Sequence, residues 1–208
     1  MSGSISSGSS SAVRLGMAPR PVRQSGTPAQ AASTGLWVFM VVVCSLFGLF
    51  LAAYVMRLSE ADGYPLALPW QFWLSTSLLV GGSVALQRAG SAARAGRDAL
   101  MLWRVGGACA LLFVGVQGWA WEALAAARVL PRGNPAASFL YVLTGLHALH
   151  VIGGVGAWVR VARGPLTAWR IALCARYWHF LLALWLILYA TLGWLTPDLV
   201  RAICGVAR

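Results

Sequence analysis

Residues 136–161 read AASFLYVLTGLHALHVIGGVGAWVRV. The stretch is apolar on every helical face, and its single formal charge, Arg160, stands at its far end. It is longer than the ~20 residues that a helix needs to cross a bilayer. Backbone groups surrounded by lipid must find their hydrogen bonds within the segment, so the pattern predicts a membrane-spanning helix rather than a strand.

Four other segments read in the same way. They run from about Gly35 to Met56, Leu68 to Gln87, Leu100 to Leu124 and Tyr177 to Leu195. The predicted fold class is therefore all-α, an integral membrane bundle of five transmembrane helices. Composition agrees: the 208-residue chain is 59% hydrophobic with a mean hydropathy of +0.72, and only 10% of its residues are charged. A soluble domain carries roughly a quarter charged residues. Tryptophans near segment ends (Trp37, Trp70, Trp158, Trp178 and Trp194) match interfacial belts.

The net charge is +11, built from 16 arginines and no lysine against five acids. A charge of that size raises nucleic acid as a partner, but these arginines lie between apolar runs instead of along one face, which excludes nucleic acid and fits membrane topology. Arg14, Arg20 and Arg23 precede the first segment. Arg88, Arg94, Arg97 and Arg104 follow the second, and Arg160, Arg163, Arg170 and Arg176 follow the fourth. The opposite side holds Arg57, Arg128, Arg132, Arg201 and Arg208, so eleven arginines face five. The positive-inside rule then predicts a cytoplasmic N-terminus and an outer C-terminus. Residues 1–34, rich in Ser, Gly, Ala, Pro and Arg, lack the large apolar residues of a core and the apolar run of a secretory signal. They read as a disordered cytoplasmic tail ahead of a transmembrane domain over 35–208.

Cys44, Cys109, Cys174 and Cys204 form no CxxC pair, and two of them lie inside apolar segments, which argues for small-residue packing over a disulfide framework or a zinc site. Gly106, Gly107, Gly145, Gly153, Gly154 and Gly156 allow close approach of helices. No P-loop, nucleophile elbow or HExxH is present, and nothing marks an independent enzyme.

Polar groups inside membrane helices are functional candidates by default. Thr144, His147 and His150 lie near the middle of the fourth segment, Gln117 and Glu122 on the third, and Arg176, Trp178 and His179 at the inner end of the fifth. The spacing of His147 and His150 puts both on one helical face. As metal ligands they lack a third mid-membrane partner, since haem and copper sites draw ligands from several facing helices. As a proton relay they lack continuation, because the first and second segments carry no charge in their middles. Neutral imidazoles hydrogen-bonded to neighbouring helices or to a partner subunit remain the simplest expectation. For Glu122 the alternatives are a proton-exchanging acid near the outer surface or a carboxylate paired with a neighbour such as Arg128. Gln117 and Tyr141 are expected to meet at one depth.

Four stretches carry a family resemblance. FLYVLTGLHALHVIGG (139–154) resembles a TGxHxxHV(I)xG element with an aromatic lead, and RYWHFLLALWLILYATL (176–192) a YWHFVDxxWLxLY helix. LPWQFWLSTSLLVGGSVALQRA (68–89) is similar to WLSTxxLLxSSxxxxxA, and GLWVFMVVVCSLFGLFLAAYV (35–55) to WxFLxSExMFFGxxFxAY. Gln117 to Glu122 resembles a QxxE-type helix end. Taken in chain order, over 35–195, they resemble subunit III of the haem-copper respiratory oxidases, in its short five-helix form. The resemblance implies a non-catalytic subunit with no cofactor of its own, the haem and copper being held in partner subunits. It implies direct packing on oxidase subunit I, association with subunit II, and phospholipid in a groove. It also implies a bacterial plasma membrane, with oxygen reduction and proton pumping as the reaction of the whole complex. Gln117, Glu122, Thr144, His147, His150, Trp178 and His179 then become structural, lipid or subunit contacts. Two positions depart from the pattern: Val43 replaces a glutamate and Leu182 an aspartate. These losses set the chain apart in proton handling and bring in an accessory membrane subunit of a nitric oxide reductase as the alternative. An independent transporter would show a repeat or broken polar helices, and an independent haem protein would need more histidines.

Overall fold

A computed structural model describes residues 27–60, 68–129 and 135–195. They form five helices: α1 (Pro28–Glu60), α2 (Gln71–Arg94), α3 (Leu100–Ala126), α4 (Pro135–Ala162) and α5 (Ala168–Trp194). Among the described residues there is no strand. The chain is an all-α membrane bundle. Four helices, α1, α3, α4 and α5, are long and apolar enough to cross a bilayer. The second falls short of that measure because of its serines, its glutamines and its arginine-bearing end. It sits instead among other helices, packed on α3 and α5. Its polar residues Gln71, Ser75 and Ser83 are turned inward and buried. Ser75, Thr76, Ser77 and Ser91 also return their hydroxyl protons to carbonyls three or four residues back, so the helix satisfies much of its own polarity.

Two helices begin well ahead of their apolar runs. Helix α1 starts at Pro28, earlier than the expected Gly35, and α5 starts at Ala168, well before Tyr177. Hydrogen-bonded helix continues past the point where side chains become polar, so hydropathy marks the span and not the helix. The rest of the expected tail, residues 1–26, lies outside the described residues, as do Asp62, Arg132, Asp198, Arg201, Cys204 and Arg208.

Sharp turns set the up-down order. At the end of α2, Gly96 takes φ +66°, Arg97 N–H reaches the Ala92 carbonyl and Gly96 N–H reaches that of Ala93. This is a Schellman closure, and glycine carries the left-handed residue without a Cβ penalty. Asp98 then accepts the Leu100 amide at 2.9 Å, closing the start of α3. The end of α3 closes the same way, with Arg128 at φ +60° in the glycine's place.

Close packing follows the small residues. A Cβ on Gly106 would lie 2.6 Å from Leu86, and one on Gly107 would enter the Trp158 ring. A Cβ on Gly154 would meet Tyr177 at 3.0 Å and Trp178 at 3.3 Å. Gly153 and Gly156, by contrast, face open space and bring no helix closer. Helix α1 packs on α4 and α5 but, among the described residues, not on α2 or α3. It leaves Trp37, Val41, Val42 and Leu49 exposed, as a lipid-facing helix does.

The tryptophan belt is smaller than expected. Trp37, Trp70 and Trp194 are exposed. Trp178 is buried, and Trp158 turns inward, stacking on Trp103 at 5.8 Å and donating to its carbonyl at 3.0 Å. A glycine opposite (Gly107) gives the Trp158 ring its space, and a single helix does not disclose that. Cys44, Cys109 and Cys174 are free thiols, and Cys109 fills the gap over Gly81 and Gly82.

Candidate functional site

Trp185 is fully buried on α5. Its ring stacks near-parallel on Phe72 at 5.7 Å and meets Phe113 edge-on at 5.3 Å. It also lies 5.1 Å from the His147 ring, and its indole N–H donates to Thr76 at 2.9 Å. One side chain thereby joins α2, α3, α4 and α5.

His147 and His150 share a face in spacing but part company in surroundings. His147 points into this core, completely buried between Phe113 and Trp185. His150 points to α1, 5.6 Å from the Phe47 ring and 6.2 Å from Phe39. Three residues turn a helix by about 300°, so the two rings diverge by about 60°, and at this position that separates two different neighbours. Neither imidazole bonds to an adjacent helix of this chain. His150 Nδ1 contacts the Leu146 carbonyl of its own helix at 2.7 Å, and His147 has no hydrogen-bond partner. The cross-helix bond of this turn comes from Tyr177 of α5, whose hydroxyl donates to the His150 carbonyl at 3.0 Å. Thr144 is buried, donates to Leu140 O at 2.6 Å and accepts the Trp121 indole N–H at 3.1 Å.

His179 does join two helices. Its Nδ1 hydrogen-bonds Ser83, and its Nε2 bonds the Gln87 amide oxygen at 3.0 Å. Ser83 and Gln87 are one turn apart on α2, and, being uncharged, they carry no signal in a sequence read for charges inside the membrane. Trp178, the residue before, is buried over Gly154.

Two expected pairings are not made. Tyr141 donates to the Val129 carbonyl at 3.0 Å and leaves Gln117 unpartnered; the helix end after Ala126 folds back to take the phenol. Glu122 is exposed and forms no ion pair with Arg128, which lies in the turn past the helix end. Among the described residues no group of three His, Cys, Asp or Glu side chains converges as a metal ion requires.

At the arginine-rich end, a groove of ≈ 460 Å³ opens between α1, α4 and α5. Leu36, Phe39, Ala157 and Tyr177 line it, with Arg160 and Arg170 beside them. Arg176 lies close by, donating to Ser33 at 2.8 Å and covering the Trp37 ring at 5.7 Å. Apolar walls with cations at one end suit an amphiphile carrying a negative headgroup.

These features define a polytopic helical membrane protein in which several polar side chains join neighbouring helices. The chain matches no protein-family model.

Proposed function

We propose that this chain is a non-catalytic, subunit III-type component of a haem-copper terminal oxidase, embedded in a bacterial plasma membrane. The supporting observation is that the two segments with the fullest resemblance form one interface. The TGLHALHVIGG turn of α4 and the RYWHF-to-Trp185 length of α5 meet through Tyr177 and the His150 carbonyl, through Gly154 under Tyr177 and Trp178, and through His147 on Trp185. Motif residues that hold one another in place do the work of a scaffold. In this reading the chain packs against subunit I, contacts subunit II, and leaves haem and copper to them. The N-terminus is cytoplasmic, in keeping with the end of the bundle that carries Arg94, Arg97, Arg160, Arg163, Arg170 and Arg176. The groove beside Arg160 and Arg170 takes the phospholipid.

A second reading, an accessory subunit of a nitric oxide reductase, draws on Val43 and Leu182. Val43 is buried and Leu182 packs against the core, so apolar packing occupies both positions where the oxidase pattern has acids. Purification of the tagged chain from its native membrane in mild detergent separates the readings. Co-purification with a large haem-copper subunit that consumes oxygen supports the first, and a partner that reduces nitric oxide selects the second. Stoichiometric haem on the isolated chain refutes both.

A further inference from the structure

Gln117 and His147 are each completely buried, and all four of their side-chain nitrogen and oxygen atoms lack a hydrogen-bond partner. The contacts of their neighbours set them at one level of α3 and α4. On α3, Phe113, Gln117 and Trp121 follow at four-residue steps and share a face. Phe113 meets the His147 ring edge-on at 5.7 Å, while Trp121 donates to Thr144 at 3.1 Å. Gln117 stands between them and so confronts the turn of α4 that runs from Thr144 to His147.

The neighbouring groups have little to offer. The Trp185 N–H is taken by Thr76, the hydroxyl protons of Ser75 and Thr76 go to Phe72 O, and that of Thr144 goes to Leu140 O. Leu143 on α4 and Leu181, Leu184 and Leu188 on α5 are buried and carry no polar group. A buried amide or imidazole left without a partner costs about 1–3 kcal/mol per group, and inside a bilayer no bulk solvent relieves it. Buried waters are the usual solution where polar groups converge, each making two to four hydrogen bonds. A neutral imidazole offers one donor and one acceptor, and a carboxamide two of each. One water molecule meets part of that set, donating to Gln117 Oε1 and to the bare imidazole nitrogen while accepting from the Gln117 amide, and the imidazole N–H on the far side of the ring takes a second.

We propose that Gln117 and His147 form an internal water site at the centre of the bundle, in which at least one bound water bridges α3 to α4. This is independent of which complex the chain serves.

The test is water-edited solid-state NMR on the full-length chain in lipid nanodiscs, with ¹⁵N in histidine and glutamine side chains and in leucine backbone amides. Early magnetisation transfer from water to both the His147 ring and the Gln117 amide, ahead of the buried Leu143 signals, is the expected result. Gln117→Met should abolish transfer to His147, and His147→Phe should abolish transfer to Gln117. Having both variants guards against one of them failing to fold, which the His179 signal on Ser83 and Gln87 reports. Three results overturn the proposal: no early transfer to either residue, a direct hydrogen-bond coupling between Gln117 and His147, or transfer to His147 that survives in Gln117→Met.

Discussion

Replacing Trp185 with alanine tests the packing account at its centre. The three nearest aromatic contacts of the ring are with Phe72, Phe113 and His147, at 5.7, 5.3 and 5.1 Å. Such pairs contribute about 0.5–1.5 kcal/mol each beyond area burial. The bond to Thr76 adds about 0.6 kcal/mol, the average for hydrogen bonds between membrane helices. Lipid is as apolar as the core, so the transfer term that dominates in water contributes little, and the remaining loss is dispersion around the void. Thr76 keeps its bond to Phe72 O, so no orphaned hydroxyl is added. Together these give a loss of about 3–5 kcal/mol, within the range found for Trp→Ala in soluble cores. Trp185→Phe keeps most ring contacts and should lose about 1 kcal/mol. Trp194→Ala, at a position 76% exposed, should lose less than that. Denaturant unfolding of the chain in mild detergent, followed by near-UV circular dichroism, measures all three. If Trp185→Ala lies within about 1 kcal/mol of Trp194→Ala, Trp185 does not hold the four helices together and the reasoning fails.

Three further outcomes follow from the same contacts. Gly107→Val drives a side chain into the Trp158 ring and should cost about 1–3 kcal/mol; Gly48→Val, in open space, should be near neutral in the same unfolding assay. His179→Phe removes both bonds to α2 and should cost about 1 kcal/mol, seen as faster hydrogen exchange in the second half of α2, and unchanged exchange there would contradict the assigned role. Under the proposed function, His147→Gln with His150→Gln should reduce the assembly or durability of the oxidase more than its initial turnover; immediate loss of oxygen reduction in an assembled, fully haem-loaded complex would count against it.

The sequence by itself determined the class of fold. Long runs without charge have one stable form in lipid, a hydrogen-bonded helix, so the number and order of helices followed from hydropathy. Helix α2 shows where that logic thins: its serines and glutamines lower its apolarity, and its place among α3 and α5 is a matter of which face turns inward. His147 of α4 and Trp178 of α5 are both buried. What only the tertiary structure decided is direction. Spacing placed His147 and His150 on one face, but a 60° divergence sends one ring to Trp185 and the other to Phe47. Trp158 looked interfacial until Gly107, far away in sequence, supplied the space that draws it inside. Side-chain partners depend on which helices become neighbours, and in a membrane that choice rests on small residues and shape, because hydrophobicity no longer distinguishes the core from its surroundings.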